Sequence, residues 1–435
     1  MHVYLYIMIK ADNMNLNNKI DVFSPYLIIF AIFLYVLFGF VGFYYKIKGL
    51  QSPSMGVYLY ILFGCCFFIA GIIFPKMFYK FNFKSFKTLN NFLNFLYSQK
   101  EHLKKNFNQN KSANKSHNIE KKFFKSFSHL EIVILAIVLL GLSFQAINLL
   151  YSGGIPLLSG YLKAKAVTKI WVVSYLLFLP GINILLARFN RSYYYILFIL
   201  GIGIFALTGY RTTTIVIILS VFITLYYTRK FSKNLKWIYF AIFIIGLAGI
   251  GILVGYISAM SIEWQTWTLN PFELFFYRAG YTLTVFNTLL GMQGATQGSL
   301  AYYSITGFFQ SADPRAIVGE VVLGYKHSAT STIFGPALLD FGALALALQM
   351  FFIGLVLKLM HLIQKSKKGI FAAFYAIILA QTLVWIETGP TDLVVWIFYL
   401  ISIILILYTY LDYRNYRKGH NLEEVMENDM KREEL

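Results

Sequence analysis

The chain has 435 residues, 58% of them apolar and 18% aromatic, and only 13% are charged, about half the charged share of a soluble domain. That composition excludes a soluble enzyme and indicates a single integral membrane body spanning 1–435. The formal charge of +19 fits basic cytoplasmic turns facing anionic headgroups, and no groove-reading or RNA-binding motif accompanies it, so nucleic acid is not an expected partner.

The start, Met1–Lys10, is apolar but too short for a secretory leader and lacks a small-residue cleavage site. A membrane span needs about 20 mainly apolar residues. Ten segments qualify: 26–45, 57–75, 131–151, 170–187, 193–209, 212–228, 237–257, 332–360, 370–387 and 392–411. The sequence therefore predicts an all-α polytopic membrane protein of about ten transmembrane helices. The pair meeting at Gly209–Arg211 can also be read as one broken span, and 332–360 is long enough to tilt strongly. Cys65 and Cys66 are adjacent within an apolar span, which argues against a disulfide framework or a metal cluster.

Orientation follows from the connections. Lys76 to Lys125 holds twelve lysines against Glu101 and Glu120, so 76–130 is expected to be a basic cytoplasmic loop. Arg188 and Arg191, then Arg229, Lys230, Lys233 and Lys236, then Lys365, Lys367 and Lys368 mark further basic turns. Ten spans put all of them on one side together with both termini, and 413–435 becomes a mixed-charge cytoplasmic tail. Lys163, Lys165 and Lys169 run against this pattern on the outer side.

The longest outer connection, 258–331, does not have the composition of a linker. Trp264 and Trp267 suit a membrane interface, and Pro271 to Leu290 is predicted to be a helix, with proline at its start and Glu273 in its first turn. Phe272, Phe275, Phe276, Tyr277, Tyr281 and Phe286 make it aromatic enough to lie on or dip into the outer leaflet. A structured connection of this length suits a lid or an active-site element.

The polar groups on this outer side are the candidates for chemistry. Arg211, after Gly209-Tyr210, sits where the helix must break or end, and its fork suits a phosphate; a snorkelling arginine is the plainer alternative. Arg278 lies one turn from Tyr281 and Thr282 and suits a substrate phosphate, with a lipid-phosphate anchor or an ion pair with Glu273 or a loop acid as the alternative. Arg315 is two residues from Asp313 and reads as a loop ion pair. His327, at the start of a late span, suits general-base work or phosphate binding, with a surface or capping histidine as the alternative. Glu320 and Lys326 are weaker neighbours, and Asp340 is an acid inside a span, functional or paired. The loop Gly153-Gly154-Ile155-Pro156 exposes backbone that can approach a ligand or form a plain tight turn. There is no nucleotide-binding loop, no zinc motif, no nucleophile elbow and no Asp-x-Asp, so neither a metal nor a cofactor is expected.

Taken in order, Gly153-Gly154-Ile155-Pro156-Leu157-Leu158, Gly209-Tyr210-Arg211-Thr212, a loop with Arg278, His327-Ser328-Ala329-Thr330 and Phe334-Gly335-Pro336-Ala337-Leu338-Leu339-Asp340-Phe341-Gly342 resemble the oligosaccharide repeat-unit polymerases, the Wzy-type O-antigen polymerases. The similarity runs over roughly residues 130–410, and the related O-antigen ligases are resembled less closely. The resemblance implies a metal-independent, inverting glycosyltransferase of the type C superfamily in the cell membrane. It would join saccharides carried on polyprenyl or dolichyl pyrophosphate at the outer face, alongside membrane lipids, a flippase and a chain-length regulator. By that analogy Arg211 and Arg278 hold the donor pyrophosphate and His327 serves the acceptor. Gly153, Gly154, Pro156, Tyr210, Tyr281, Glu320, Lys326 and Asp340 would line the substrate. The alternative from another class is a lipid-linked oligosaccharide flippase, which commonly shows two similar halves; no internal repeat is visible.

Overall fold

In hydrocarbon every backbone N–H and C=O must be satisfied within the chain, and a helix does this locally. The computed structural model describes residues 21–81, 128–229, 269–310 and 313–433, with isolated positions between, and no strand occurs among them. The first helices are α1 (Leu27–Tyr44), α2 (Met55–Phe81), α3 (His129–Tyr151), the short α4 (Gly160–Lys165), α5 (Lys169–Arg188), α6 (Ser192–Ala206) and α7 (Arg211–Thr228). They are followed by α8 (Pro271–Leu290), α9 (Ser299–Gln310), α10 (Pro314–Leu323), α11 (Gly335–Lys367), α12 (Ile370–Thr388) and α13 (Leu393–Glu433).

Nine of the ten expected segments are helical, and the tenth, 237–257, lies outside the described residues, as does nearly all of the lysine-rich 76–130. Among the described residues, eight helices are long and apolar enough to cross a membrane. The segment expected at 193–209 is shorter: α6 has 15 residues, and a turn at 207–210 separates it from α7, so the two are not one continuous span. The late span begins at Gly335 and is broken at Gly342, with φ 77° and ψ −164°, a conformation open essentially to glycine alone. A break replaces the strong tilt expected of a long helix.

α12 is the central helix. In it 78% of the membrane-crossing window is buried by protein, against 28% in α1 and α3, which lie at the periphery. Its neighbours hold it with polar pairs that are saturated in place: Gln381 Nε2 donates to the Tyr175 hydroxyl at 2.8 Å, and the Thr382 and Tyr399 hydroxyls lie 2.6 Å apart.

The two ends of the bundle differ in charge. At one end Arg191 Nε lies 2.7 Å from buried Glu131, Arg229 donates to the Leu186 carbonyl at 2.9 Å, and Lys365 meets Asp21 at 2.6 Å. The opposite end gathers the end of α3, the starts of α2, α5 and α7, and the end of α12. There Ser54 binds Asn287, Thr168 binds Asn148, and Arg211 binds Glu387.

At that end α8 forms over the residues the sequence predicts. Pro271 occupies its first turn, and Asn270 and Glu273 cap it reciprocally, at 2.7 and 3.0 Å. Its aromatic face packs along α1, with Phe275 edge-on to Phe38 at 4.9 Å, so the helix lies within the length of a membrane-crossing neighbour. The same connection also contains α9 and α10, which periodicity alone does not announce.

Candidate active site

Arg211 is the first residue of α7, Arg278 projects from the second turn of α8, and Glu387 is the penultimate residue of α12. Their side chains meet. Arg211 Nη2 donates to Glu387 Oε1 at 2.5 Å, and Arg278 donates to that same oxygen through Nη2 at 3.0 Å and Nε at 3.3 Å. Arg211 and Glu387 side chains are about one-fifth exposed and Arg278 is 40% exposed, so the cluster opens to the outside mainly along Arg278.

Local sequence explains the placement. Gly389 has φ +75° and is followed by Pro390, which stops α12 just after Glu387. Gly209, at φ +74°, lets the chain turn sharply between α6 and α7, with the backbone of Leu157 close against it. The Leu157 N–H donates to the Leu207 carbonyl at 2.9 Å, so the Gly153-Gly154-Ile155-Pro156 loop is docked onto the turn that presents Arg211. Pro156 is buried there, and the Tyr210 hydroxyl donates to the Lys163 carbonyl at 3.0 Å.

The electrostatics of the cluster favour an anion. Burial disfavours the Arg278 charge, but Glu387 outweighs that effect and holds its pKa above the ordinary arginine value. Lys163 carries the opposite signature: burial first, then repulsion by Arg278 and Arg211, lowers its pKa to about 8. Two guanidiniums thus share one carboxylate with Lys163 close to both, leaving a positive surplus. Tyr35 of α1 lies close enough to interact with Glu387 and both arginines. Fixed guanidinium groups of this kind suit charge that develops on a leaving phosphate.

The remaining candidates divide. Tyr281 stacks on Tyr277 at 5.9 Å, one turn along α8 from Arg278. His327 is exposed, its ring 6.1 Å from Tyr325, and it makes no hydrogen bond to the arginine cluster. Its segment nevertheless crosses α8, since the Thr330 and Thr282 hydroxyls are 3.3 Å apart. Glu320 and Lys326 are exposed and form no ion pair with a described residue. Asp340 is buried and occupied: it accepts from the Thr296 hydroxyl at 2.6 Å and from the N–H groups of Leu300 and Ala301 at 3.0 and 2.7 Å. It therefore caps α9 from another element, a structural task that its place in a span does not reveal. Arg315 forms the expected pair with Asp313 at 3.3 Å and also approaches Asp392 at 3.8 Å.

Sequence reasoning missed Glu387, Lys163 and Tyr35. Glu387 had a legible signal, a lone acid in Trp385-Ile386-Glu387-Thr388-Gly389-Pro390 at the arginine-bearing edge. Lys163 appears in the sequence only as an exception to the charge rule, and Tyr35 as one aromatic among many.

Uncharacterized protein MJ0419 of Methanocaldococcus jannaschii is 29% identical over 207 residues, covering 47% of this chain and 56% of that protein. Uncharacterized protein MJ0420 of the same organism is 27% identical over 192 residues, covering 44% of this chain and 46% of its own length. The chain thus spans about half the length of the curated relatives it matches. No solved structure matches it significantly. The profile of the family described as "Putative O-antigen polymerase" matches residues 21–399, which takes in α1 to α12, the beginning of α13 and every residue of the arginine cluster, and the chain belongs to that family.

Proposed function

We propose that this protein is a membrane glycosyltransferase that polymerises oligosaccharide repeat units carried on polyprenyl or dolichyl pyrophosphate. The observation that carries the reading is the convergence of Arg211 and Arg278 on one oxygen of Glu387 at the edge of the bundle. Membership of the O-antigen polymerase family supports the same class of substrate. The end that holds Arg191, Arg229 and Lys365 would be cytoplasmic under the positive-inside rule, which puts the arginine cluster at the outer face.

In the reaction an acceptor hydroxyl attacks the anomeric carbon of the donor's first sugar. The new C–O bond forms as the bond from that carbon to the pyrophosphate oxygen breaks, and the electron pair stays on the pyrophosphate. Arg211 and Arg278 displace their bonds from Glu387 onto that leaving group, where the developing charge strengthens them. The acceptor proton passes to a base, the role proposed for His327, whose segment crosses α8. The charge stabilisation this asks for is supplied by guanidinium groups, so the reaction is proposed to need no metal.

The test is direct. Purified protein in detergent, given a lipid-pyrophosphate oligosaccharide without nucleotide, should yield longer lipid-linked glycans and free polyprenyl pyrophosphate, with chelator present or absent. Detergent abolishes compartments, so a flippase would leave the substrate unchanged, and that outcome from folded protein would sink the proposal.

A further inference from the structure

Behind the arginine cluster lies a separate cavity of about 680 Å³, within the range that takes a ligand of a few rings. It shares its walls with the cluster. Tyr210 and Thr212 line it while Arg211 between them turns to Glu387, and Thr388 lines it while Glu387 faces the arginines. The two sites therefore sit back to back on the start of α7 and the end of α12.

Their chemistry is opposite. The cluster carries surplus positive charge, whereas the cavity is charge-balanced, with Lys169 and Arg315 against Asp313 and Asp392. A second anion has no electrostatic reason to enter it. Its walls are aromatic and polar together: Trp171 is stacked on Tyr175 at 5.5 Å and 13°, and Trp385 on Tyr399 at 5.3 Å and 8°. Three buried donors in this wall meet no acceptor among the described residues: the indole N–H of Trp171, the indole N–H of Trp385 and the Thr391 hydroxyl. A hydrocarbon tail would leave all three without a partner. A sugar offers ring faces to aromatic wall residues such as Tyr210, Tyr303 and Phe308 and hydroxyls to the donors, and carboxylates such as Asp392 accept from sugar hydroxyls in turn.

We infer that this cavity is a saccharide-binding site that holds neutral sugar residues of the glycan beside the arginine cluster. The inference rests on the reading of that cluster as a pyrophosphate site only for its role in the reaction; the binding itself stands on the cavity's own walls. Sugar rings held there lie one residue away, along both α7 and α12, from the groups that bind the leaving group.

The experiment titrates full-length protein in detergent with the free oligosaccharide released by mild acid from the producing cell's own lipid carrier, followed by calorimetry. Binding is expected, and Asp392→Asn, Trp385→Phe and Thr391→Val should each weaken it about tenfold. Arg211→Ala should leave it within about twofold, because the arginine does not face the cavity. Inorganic pyrophosphate and farnesol, added as competitors, should have no effect. Absence of binding to the wild-type protein would overturn the inference, as would competition by pyrophosphate, which would make it an anion site, or by farnesol, which would make it a lipid-tail channel. Should a cavity variant fail to fold, these wild-type arms still decide. Failure of the catalytic reading looks different: the glycan binds as described, but no longer product forms. Conversely, glycan extension with all three variants behaving as wild type would remove the sugar site and leave the transferase standing.

Discussion

Arg211 and Arg278 come from different helices and donate to the same oxygen of Glu387, so a single carboxylate holds two like charges in register. Neither guanidinium would remain beside the other without it. The carboxylate both positions the pair and occupies the place of the anion that the pair is proposed to bind.

Glu387→Gln tests that double role. Loss of the charge should lower glycan polymerisation by roughly 10- to 100-fold, as expected when catalytic groups lose their positioning. At the same time inorganic pyrophosphate should bind more tightly, because its internal competitor is weakened. Affinity measured on the purified variant separates the effects; polymerisation and affinity both at wild-type levels would remove Glu387 from the site.

Arg211→Ala and Arg278→Ala should each abolish polymer while leaving inserted protein at near wild-type levels. Lysine at either position should recover only part of the activity, since the bidentate fork is lost. Glycan ladders from complemented cells provide the readout, and full-length polymer from both alanine variants would end the pyrophosphate assignment.

Lys163 makes donor binding pH-dependent, with a definite sign. Its pKa in the folded protein is about 8, below the ordinary 10.5, because of burial and the neighbouring arginines. An anionic ligand needs it protonated, so donor affinity should be full below about pH 8 and fall as pH rises through that value, by up to about tenfold per unit. The sign for folding is the reverse: between about 8 and 10.5 the unfolded chain holds more protons at this group, so its contribution to stability improves as pH rises. Lys163→Met should bind more weakly and lose the pH dependence; an unchanged profile in that variant would assign the titration to another group.

Asp340 separates a structural role from one in substrate binding. All three of its partners are donors, and an asparagine amide cannot accept at its nitrogen, so Asp340→Asn should cost about 2 kcal/mol or more of stability. Thermal melts in detergent should report this, with activity largely retained at low temperature. A variant as stable as wild type yet inactive would instead place Asp340 on the substrate.

Accessibility settles orientation. In a Cys65→Ser, Cys66→Ser background, Ala295→Cys should react with impermeant reagent from outside the cell and Ser112→Cys only after lysis. The reverse pattern would invert the protein and with it the face on which the chemistry occurs.

Much of this was legible in the sequence, for identifiable reasons. Helix positions follow from apolar runs, which is why nine expected segments coincide with helices, and Pro271 with Glu273 marked the start of α8. Arg211 and Arg278 were legible because an arginine off the basic face has no topological excuse. Their meeting was not, because α7 packs on α12 while α8 packs chiefly on α1, and only the tertiary arrangement brings both arginines to Glu387. Asp340 was misleading for the same reason: an acid in a span advertises need for a partner, and the partner here is the start of α9, itself invisible in the periodicity.

The break at Gly342 changes what α11 is mechanically. An unbroken helix of 33 residues would be about 50 Å long, well beyond a hydrocarbon core of about 30 Å. Division at Gly342 leaves about 37 Å from Ala343 to Lys367 to meet the lipid. The turn from Gly335 to Phe341 belongs instead with the long connection it anchors through Asp340. In a continuous helix one inserted residue rotates everything beyond it by about 100°. Across this break the phase of the membrane-crossing segment is independent of the residues before it, so the connection that carries His327 is free to gain or lose residues without turning the faces by which α11 packs on the rest of the bundle.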